Sequence, residues 1–254
     1  MADDVDTVPA LVDSDSFDAV LFELDGVVTD TADVHAAAWK RTMDDYLESR
    51  AKERGEIFTP FDEVEDYLAH VDGKPRYDGV RDFLASRNII LPEGTMDSPP
   101  TEESVRGLGN RKNQLVRAVL RTEGVRAFDG TVEWIHRLRR EGLMTAIVSS
   151  SRDTMFVLEV AGLTDQFDAK VDGLIRAERN LPGKPAPDTY LDTAGHLGVK
   201  PQRAVVVEDS IPGVEAARAG GFGLVIGVAR HGNEQPLIDS GADIVLHDLS
   251  EMIR

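Results

Sequence analysis

The stretch FDAVLFELDGVVTDT, residues 17–31, decides the fold of this chain. Residues 17–24 are apolar on both faces, which is typical of a buried strand in a parallel sheet. Further strand-like segments occur at residues 144–148, 204–207, 223–228 and 244–246, with helical stretches between them. Alternation of strands and helices predicts an α/β fold built on a doubly wound parallel sheet.

The region after the first strand has a different texture. From Thr31 onward, His35, Trp39 and Met43 recur at a helical spacing. No strong strand signal follows until after residue 112, and prolines interrupt the helical pattern near 60, 75 and 92–100. We therefore expect a helical cap domain inserted after the first strand. The predicted organisation is a flexible acidic tail at 1–15, a core formed by 16–32 and 113–254, and a cap at 33–112.

Composition excludes several classes of protein. The chain has 254 residues and a formal net charge of −18, which disfavours binding to nucleic-acid phosphates. It has no cysteine, so disulfides, thiolate metal sites and a cysteine nucleophile are excluded. No apolar run approaches the roughly 20 residues that cross a bilayer, and the acidic N-terminus has no signal core. We expect a cytoplasmic monomer that binds neither nucleic acid nor membrane.

Chemically useful side chains follow the predicted strands. Because ligands of such sheets bind beyond the carboxyl ends of the strands, these residues are expected at one edge. Carboxylates are hard ligands of the kind that Mg²⁺ takes, hydroxyls and a helix N-terminus suit a phosphate, and a lysine could neutralise a transferring phosphoryl group. The carboxylates are Glu23, Asp25, Glu208 and Asp209, the hydroxyls are Ser149, Ser150 and Ser151, and the lysine is Lys184.

Each of these features has an ordinary alternative. An acidic pair after a strand is often a helix cap or a solvated turn, and serines before a helix commonly cap it. An isolated lysine such as Lys184 is usually a surface residue. The argument for a site is that four such elements fall in order at one predicted sheet edge.

Four segments in this order resemble the motifs of the haloacid dehalogenase superfamily: FELDGVVTDT, VSSS, GKPAPD and VVVEDSIPGVEAARAGG. Within it the chain is most similar to the β-phosphoglucomutase-like phosphatases and mutases, over roughly residues 17–248. The resemblance implies a Rossmann-like core, a helical cap between the first two motifs, and Mg²⁺ as cofactor.

The resemblance also implies roles for individual residues. Asp25 matches the general acid and base, which also lends its backbone carbonyl to Mg²⁺, and Ser149 and Lys184 match the phosphate-binding pair. Glu208 and Asp209 match the acidic metal-binding pair, while Ser150 and Ser151 belong to the second motif. In the cap, residues 72–76 look like the substrate-specificity loop, so that Arg76 would bind the distal phosphate of a sugar phosphate. His35, Lys112 and Asn113 fall at cap and hinge contacts; without the family, His35 and Arg76 would be ordinary helix and loop residues.

One position departs from the family pattern. Glu23 stands where the family has its nucleophilic aspartate, which also ligates the metal. The extra methylene adds about 1.5 Å, and a misplacement of ~1 Å can cost on the order of 10²-fold in rate. The sequence therefore predicts sharply reduced phosphoryl transfer unless the backbone compensates. The substitution could be a natural loss, an active variant or a laboratory change.

These observations predict a Mg²⁺-dependent phosphotransferase acting on a sugar phosphate. The leading expectation is conversion of β-glucose 1-phosphate to glucose 6-phosphate. The alternatives are a sugar-phosphate phosphatase, in which water attacks the phosphorylated enzyme, and a non-catalytic sugar-phosphate-binding relative suggested by Glu23.

Overall fold

The computed structural model describes residues 11–230 and 232–253. Its sheet has six parallel strands in the order β3-β2-β1-β4-β5-β6. The strands are β1 (Ala19–Phe22), β2 (Met144–Val148), β3 (Ala169–Val171), β4 (Ala204–Glu208), β5 (Leu224–Val228) and β6 (Ile244–Leu246). The predicted doubly wound parallel α/β fold is confirmed.

Two strands differ from the prediction. β1 is shorter than the predicted 17–24, because the N–H of Glu23 makes the last bond to β4 before the chain turns at Asp25 and Gly26. β3 was not predicted. It has three residues and carries Lys170 in its centre, so it lacks the continuous apolar run by which buried strands are detected.

Nine α-helices surround the sheet or form the insertion within the described residues. They are α1 (Ala32–Arg54), α2 (Arg76–Ser86), α3 (Val105–Glu123), α4 (Asp129–Arg140), α5 (Thr154–Val160), α6 (Gly173–Glu178), α7 (Asp188–Leu197), α8 (Ile211–Ala219) and α9 (Glu234–Asp239). In that part of the chain no helix is both long and apolar enough to span a bilayer.

The sheet is buried on both faces. Successive side chains of a strand point to opposite faces, and in β1 the side chains of Val20 and Phe22 join one hydrophobic cluster, whereas those of Ala19 and Leu21 join another. A central strand of this kind needs apolar residues at every position, which is what the sequence of β1 provides. The carboxyl end of β1 is thereby fixed at the middle of the sheet edge.

The insertion after β1 is helical, as predicted. It contains α1, α2, α3 and a short π-helical turn at Tyr67–Val71, and its own hydrophobic cluster includes Met43, Phe83 and Leu108. The helices α1 and α3 also reach into the core cluster, α1 through Ala38 and α3 through Val116 and Leu120. The cap and the core are therefore joined by two continuous helices.

The predicted flexible tail at 1–15 needs correction where it is described. Residues 1–10 of that tail lie outside the described residues. Val12 is only 3% exposed and packs into the core cluster. The Asp13 carboxylate accepts hydrogen bonds from the backbone N–H groups of Asp15 and Ser16. The acidic residues therefore form a turn that seats Val12, so the packed part of the chain begins before the predicted residue 16.

Candidate active site

The carboxyl ends of the three central strands meet at one edge of the sheet. Phe22, at the end of β1, is in register with Ile147 of β2 and Val207 of β4. The backbone N–H of Glu23 donates to the carbonyl of Val207 at 3.0 Å. This register brings the side chains that follow the strands, Glu23, Ser149 and Glu208, into one buried neighbourhood.

Lys184 lies between two of the predicted carboxylates. Its Nζ donates to Glu23 Oε2 and to Glu208 Oε1, and to the carbonyl of Val148 at 3.3 Å. The lysine is only 4% exposed. Burial alone would lower the pKa of Lys184, but the carboxylates of Glu208 and Glu23 outweigh it and raise the pKa above its ordinary value. Lys184 is therefore a permanent cation beneath the sheet edge.

Glu208 has no oxygen left free. Its Oε1 accepts from Tyr190 Oη at 2.7 Å as well as from Lys184. Its Oε2 accepts from the backbone N–H groups of Asp209 and Ser210, both at 3.1 Å, and from Ser210 Oγ at 3.0 Å. These bonds do not support the predicted direct metal binding by Glu208. They make it the group that orients Lys184.

Three of the carboxylates that line a cavity, Glu23, Asp72 and Asp209, form what we call its carboxylate wall. Burial, opposed by Lys184 and reinforced by Glu208, raises the pKa of Glu23 to about 7. Burial and then the charge of Glu208 raise the pKa of Asp72 to about 7 and that of Asp209 well above its ordinary value. The charged forms of these three carboxylates are therefore disfavoured together, and a bound cation would stabilise them.

The donors of this wall suit a magnesium ion. Among the described residues, no three His, Asp or Glu side chains already lie close enough together to hold a metal. Mg²⁺ does not need three, because it keeps waters and takes one or two carboxylates together with substrate oxygens. Asp209 is free to approach because residue 26 is glycine: a Cβ there would lie 1.9 Å from Asp209 Oδ2. Glu23, Asp209 and the carbonyl of Asp25 could thus hold the ion.

Asp25 is held by the turn that follows β1. The N–H of Gly26 donates to the carbonyl of Thr29 at 2.8 Å, and Gly26 has a φ of 79°, which favours glycine. The hydroxyl of Thr31 donates to Asp25 Oδ1. His35 Nε2 lies 3.7 Å from the same oxygen. The Asp25 carboxylate therefore lies between Thr31, which precedes α1, and His35 of α1.

The cavity is also lined by the predicted cap residues Arg76 and Lys112, which we call the cationic wall. Lys112 Nζ lies 2.9 Å from His35 Nδ1. Burial and the neighbouring charge of Lys112 lower the pKa of His35 to about 4. Burial and the charge of Arg76 lower the pKa of Lys112 to about 7. A neutral His35 can accept from Lys112 at Nδ1, so its ring lies between Lys112 and Asp25.

The guanidinium of Arg76 is held by two acceptors. Its Nη2 donates to Asn113 Oδ1 at 2.6 Å and to Asp153 Oδ2 at 3.1 Å. Asp153 precedes α5 in the core, whereas Arg76 begins α2 in the cap. Asn113, predicted as a substrate contact, thus orients Arg76 and does not line the cavity.

The predicted serines divide into different tasks. Ser149 Oγ accepts from the N–H of Ser151 at 3.1 Å, so the hydroxyl proton of Ser149 remains available for an anion. Ser150 Oγ donates to the carbonyl of Gly73 at 2.8 Å. That bond joins the core to the cap loop, so Ser150 holds the cap against the core in this arrangement.

The cavity between core and cap has a volume of about 80 Å³. Nine of the predicted site residues line it: Glu23, Asp25, His35, Arg76, Lys112, Ser149, Ser150, Ser151 and Asp209. Three predicted residues lie behind its surface: Asn113, Lys184 and Glu208. Sequence analysis missed Tyr67, Tyr190 and Ser210 as site residues. Only Ser210 had a local signal, since it follows the acidic pair directly.

Comparison with known proteins identifies the family. The family model described as haloacid dehalogenase-like hydrolase matches residues 17–221. The chain is 47% identical to the β-phosphoglucomutase of Mycobacterium bovis, over 92% of this chain and 91% of that protein. It is 30% identical to the β-phosphoglucomutase of Bacillus subtilis, over 92% and 91% of the two chains.

A solved structure supports the fold as well. The crystal structure of β-phosphoglucomutase from Clostridium difficile superposes with a TM-score of 0.69, over 92% of each chain at 24% identity. The sheet topology, the helical insertion and the family match all lead to one assignment. The chain belongs to the haloacid dehalogenase-like hydrolase family.

Proposed function

We propose that this protein is a Mg²⁺-dependent phosphotransferase that converts β-glucose 1-phosphate to glucose 6-phosphate. The observation that carries the proposal is one cavity lined by both the carboxylate wall and the cationic wall. The carboxylates suit a metal ion beside one phosphate of the substrate, and the cations suit a second phosphate. The resemblance to β-phosphoglucomutases supports the sugar class. A cytoplasmic, monomeric enzyme is part of the same proposal.

The residues divide the chemistry between the walls. Glu23 would attack the phosphorus, Lys184 would neutralise charge beside it, and Ser149 would donate to a phosphate oxygen. Asp25, held by Thr31 beside His35, would move the proton of the sugar hydroxyl or leaving group. Mg²⁺, held by Glu23, Asp209 and the Asp25 carbonyl, would supply further charge neutralisation at the transferring phosphate.

The cationic wall would bind the other phosphate. Arg76 is the group suited to it, since a guanidinium can donate two parallel hydrogen bonds to phosphate oxygens. Lys112 lies beside it on α3 and would add charge when protonated. The cap over the cavity would exclude water and so limit hydrolysis of the phosphorylated carboxylate.

Glu23 is the residue that we expect to limit the rate of this reaction. Its side chain is one methylene longer than that of aspartate, and its Oε2 accepts from Lys184 at the sheet edge. We expect it to attack poorly, so that the Glu23→Asp variant turns over about 10²-fold faster than the present chain. The test is a coupled assay for glucose 6-phosphate from β-glucose 1-phosphate, with Mg²⁺ and a trace of glucose 1,6-bisphosphate.

The outcomes of that assay are distinct. Turnover by the variant alone supports the fold-based chemistry and makes Glu23 the cause of the low rate. Equal turnover by both chains means that the longer carboxylate is accommodated. If neither is active, or if product forms equally well without Mg²⁺, the proposed reaction is wrong.

The ion pair of Glu23 with Lys184 favours a second candidate, a sugar-phosphate-binding protein without turnover. It predicts thermal stabilisation by glucose 6-phosphate with no product formed. The third candidate is a sugar-phosphate phosphatase, which would release inorganic phosphate without needing the bisphosphate. Assaying phosphate and glucose 6-phosphate in parallel separates the three.

A further inference from the structure

Arg76 cannot bind a phosphate with two parallel hydrogen bonds in its present arrangement. A guanidinium offers two such donor edges, Nε with Nη2 and Nη1 with Nη2, and both edges use Nη2. The two N–H groups of Arg76 Nη2 already donate to Asn113 and Asp153. A phosphate that binds along either edge must therefore displace one of these acceptors.

Asp153 is the acceptor that charge favours displacing. It is a buried carboxylate, 8% exposed, and would lie beside the incoming phosphate as a like charge. Asn113 is a neutral amide and does not oppose the anion. Until a phosphate binds, the charge of Asp153 stabilises Arg76, because a buried guanidinium needs an anionic partner.

Asp153 also has somewhere to go. Arg117 Nε, on the core half of α3, lies 3.0 Å from Asp153 Oδ1. The two form an ion pair whose geometry is not that of a hydrogen bond, so within the described residues this buried Nε has no hydrogen-bond acceptor. Arg117 is itself fixed over the ring of Phe156, 5.2 Å from its centroid. A small turn of the Asp153 carboxylate toward Arg117 would satisfy that donor.

We propose that Asp153 stands in for the distal phosphate of the substrate, occupying Arg76 while the cavity is empty and passing to Arg117 when a phosphorylated sugar binds. The inference rests on the proposed function, in which Arg76 binds that phosphate. It makes Asp153 a specificity residue. A ligand must carry enough charge to outcompete an internal carboxylate, which phosphorylated sugars do and neutral sugars do not.

The experiment is calorimetric titration with glucose 6-phosphate in EDTA. In EDTA no Mg²⁺ can join the carboxylates to a phosphate, so binding reports on the cationic wall, and the proposed Mg²⁺-dependent turnover cannot occur. Asp153→Asn removes the competing charge but keeps the shape, and its Kd is expected to fall roughly tenfold. Arg117→Met removes the second partner of Asp153 without touching the ligand, and its Kd is expected to rise.

Further variants complete the test. Combining Asp153→Asn with Arg117→Met should cancel most of the Arg117 effect, since no charged side chain then needs a new partner. Asp168→Asn is the matched control: its carboxylate lies 3.2 Å from Arg139 Nη1, outside the cavity, and its Kd should equal that of the unchanged chain. Melting temperatures of all variants verify folding.

The results separate this inference from the proposed function. If Arg76→Ala weakens binding but Asp153→Asn does not tighten it, Arg76 binds phosphate and the stand-in role of Asp153 is wrong. If Arg76→Ala binds as well as the unchanged chain, the proposed phosphate site itself fails, and this inference with it. Binding seen only after Asp153→Asn would support the inference most strongly, and binding by no variant would overturn it.

Discussion

The two walls of the cavity are both buried but differ in the direction in which burial shifts the pKa values of their side chains. On the carboxylate wall, burial raises the pKa values of Glu23 and Asp72 to about 7. On the cationic wall, burial lowers the pKa of Lys112 to about 7. Each wall is thus driven toward neutrality by the same desolvation, from opposite sides. A cation bound at one wall and a phosphate at the other would relieve both.

The walls also differ in how they are held. The carboxylate wall rests on Lys184 and Glu208, whose partners belong to the sheet edge and α7. The cationic wall rests on Arg76, whose partners Asn113 and Asp153 lie on a shared helix and on the core. The difference indicates that Glu23, at the proposed metal site, is held within the core, whereas the proposed distal-phosphate site depends on contact between cap and core.

The largest effect should come from removing the cation of the carboxylate wall. Lys184→Met leaves Glu23 and Glu208 buried without the lysine that contacts both. We expect a loss of about 3–5 kcal/mol in the free energy of unfolding, measured by urea denaturation. In the Glu23→Asp background, turnover should fall on the order of 10³-fold.

Lys170→Met is the matched control for that substitution. Lys170 is a partly buried lysine of β3 whose Nζ donates to the carbonyl of Phe167 at 3.0 Å and contacts neither carboxylate. If Lys184→Met proves no more destabilising than Lys170→Met, the carboxylate wall does not depend on Lys184.

The next effect concerns the cationic wall. Arg76→Lys keeps a positive charge but loses the planar pair of donors, so the KM for β-glucose 1-phosphate should rise about 10- to 100-fold. Steady-state kinetics in the Glu23→Asp background measure it. Arg81→Lys on the same helix, where Arg81 pairs with Glu93 at 2.7 Å, should leave KM unchanged. An unchanged KM for Arg76→Lys would mean that the guanidinium geometry is not used.

The smallest effect is on stability and depends on pH. For Glu23 the pKa rises from 4.5 to about 7 on folding, and for Asp72 from 3.8 to about 7. Between these values the folded state holds more protons than the unfolded state, so the metal-free protein should lose stability as pH rises from about 4 to 7. Mg²⁺ binds the deprotonated carboxylates and should therefore raise the melting temperature by several degrees at pH 8 and little at pH 5.

Scanning fluorimetry across pH, with and without Mg²⁺, measures this effect. Asp72→Asn removes one of the carboxyls whose pKa is raised to about 7 and should flatten the pH dependence of the metal-free protein. A Mg²⁺ effect of equal size at pH 5 and pH 8 would contradict the assignment of the metal to this wall.

Much of the sheet and its edge could be predicted because the relevant signals are local. The acidic and hydroxyl residues follow buried strands directly, and parallel strands bring such positions together. β3 was missed because three residues with Lys170 at the centre have no apolar run. Val12 was missed because acidic neighbours concealed a single aliphatic side chain that packs into the core.

The parts of the site that could not be predicted depend on distant contacts. Lys184 was expected to hold phosphate, but its Nζ lies between Glu23 and Glu208, which are 161 and 24 residues away in sequence. Tyr190 supports Glu208 from α7, and Asp153 meets Arg76 across 77 residues. No periodicity or motif encodes these pairs, because each depends on the direction of a side chain after the domains have come together.

The two helices shared by cap and core, α1 and α3, form a hinge between them. Packing passes from core to cap between Ala38 and Trp39 on α1, and between Val116 and Leu108 on α3, a span that contains Lys112. If the cap rotates about this hinge, residues near the hinge hardly move and residues farther away move much more. Lys112 should then stay beside His35, whereas Arg76, farther from the hinge, should move toward and away from the core. The Lys112 amine would thus keep its position while the Arg76 guanidinium moves with the cap.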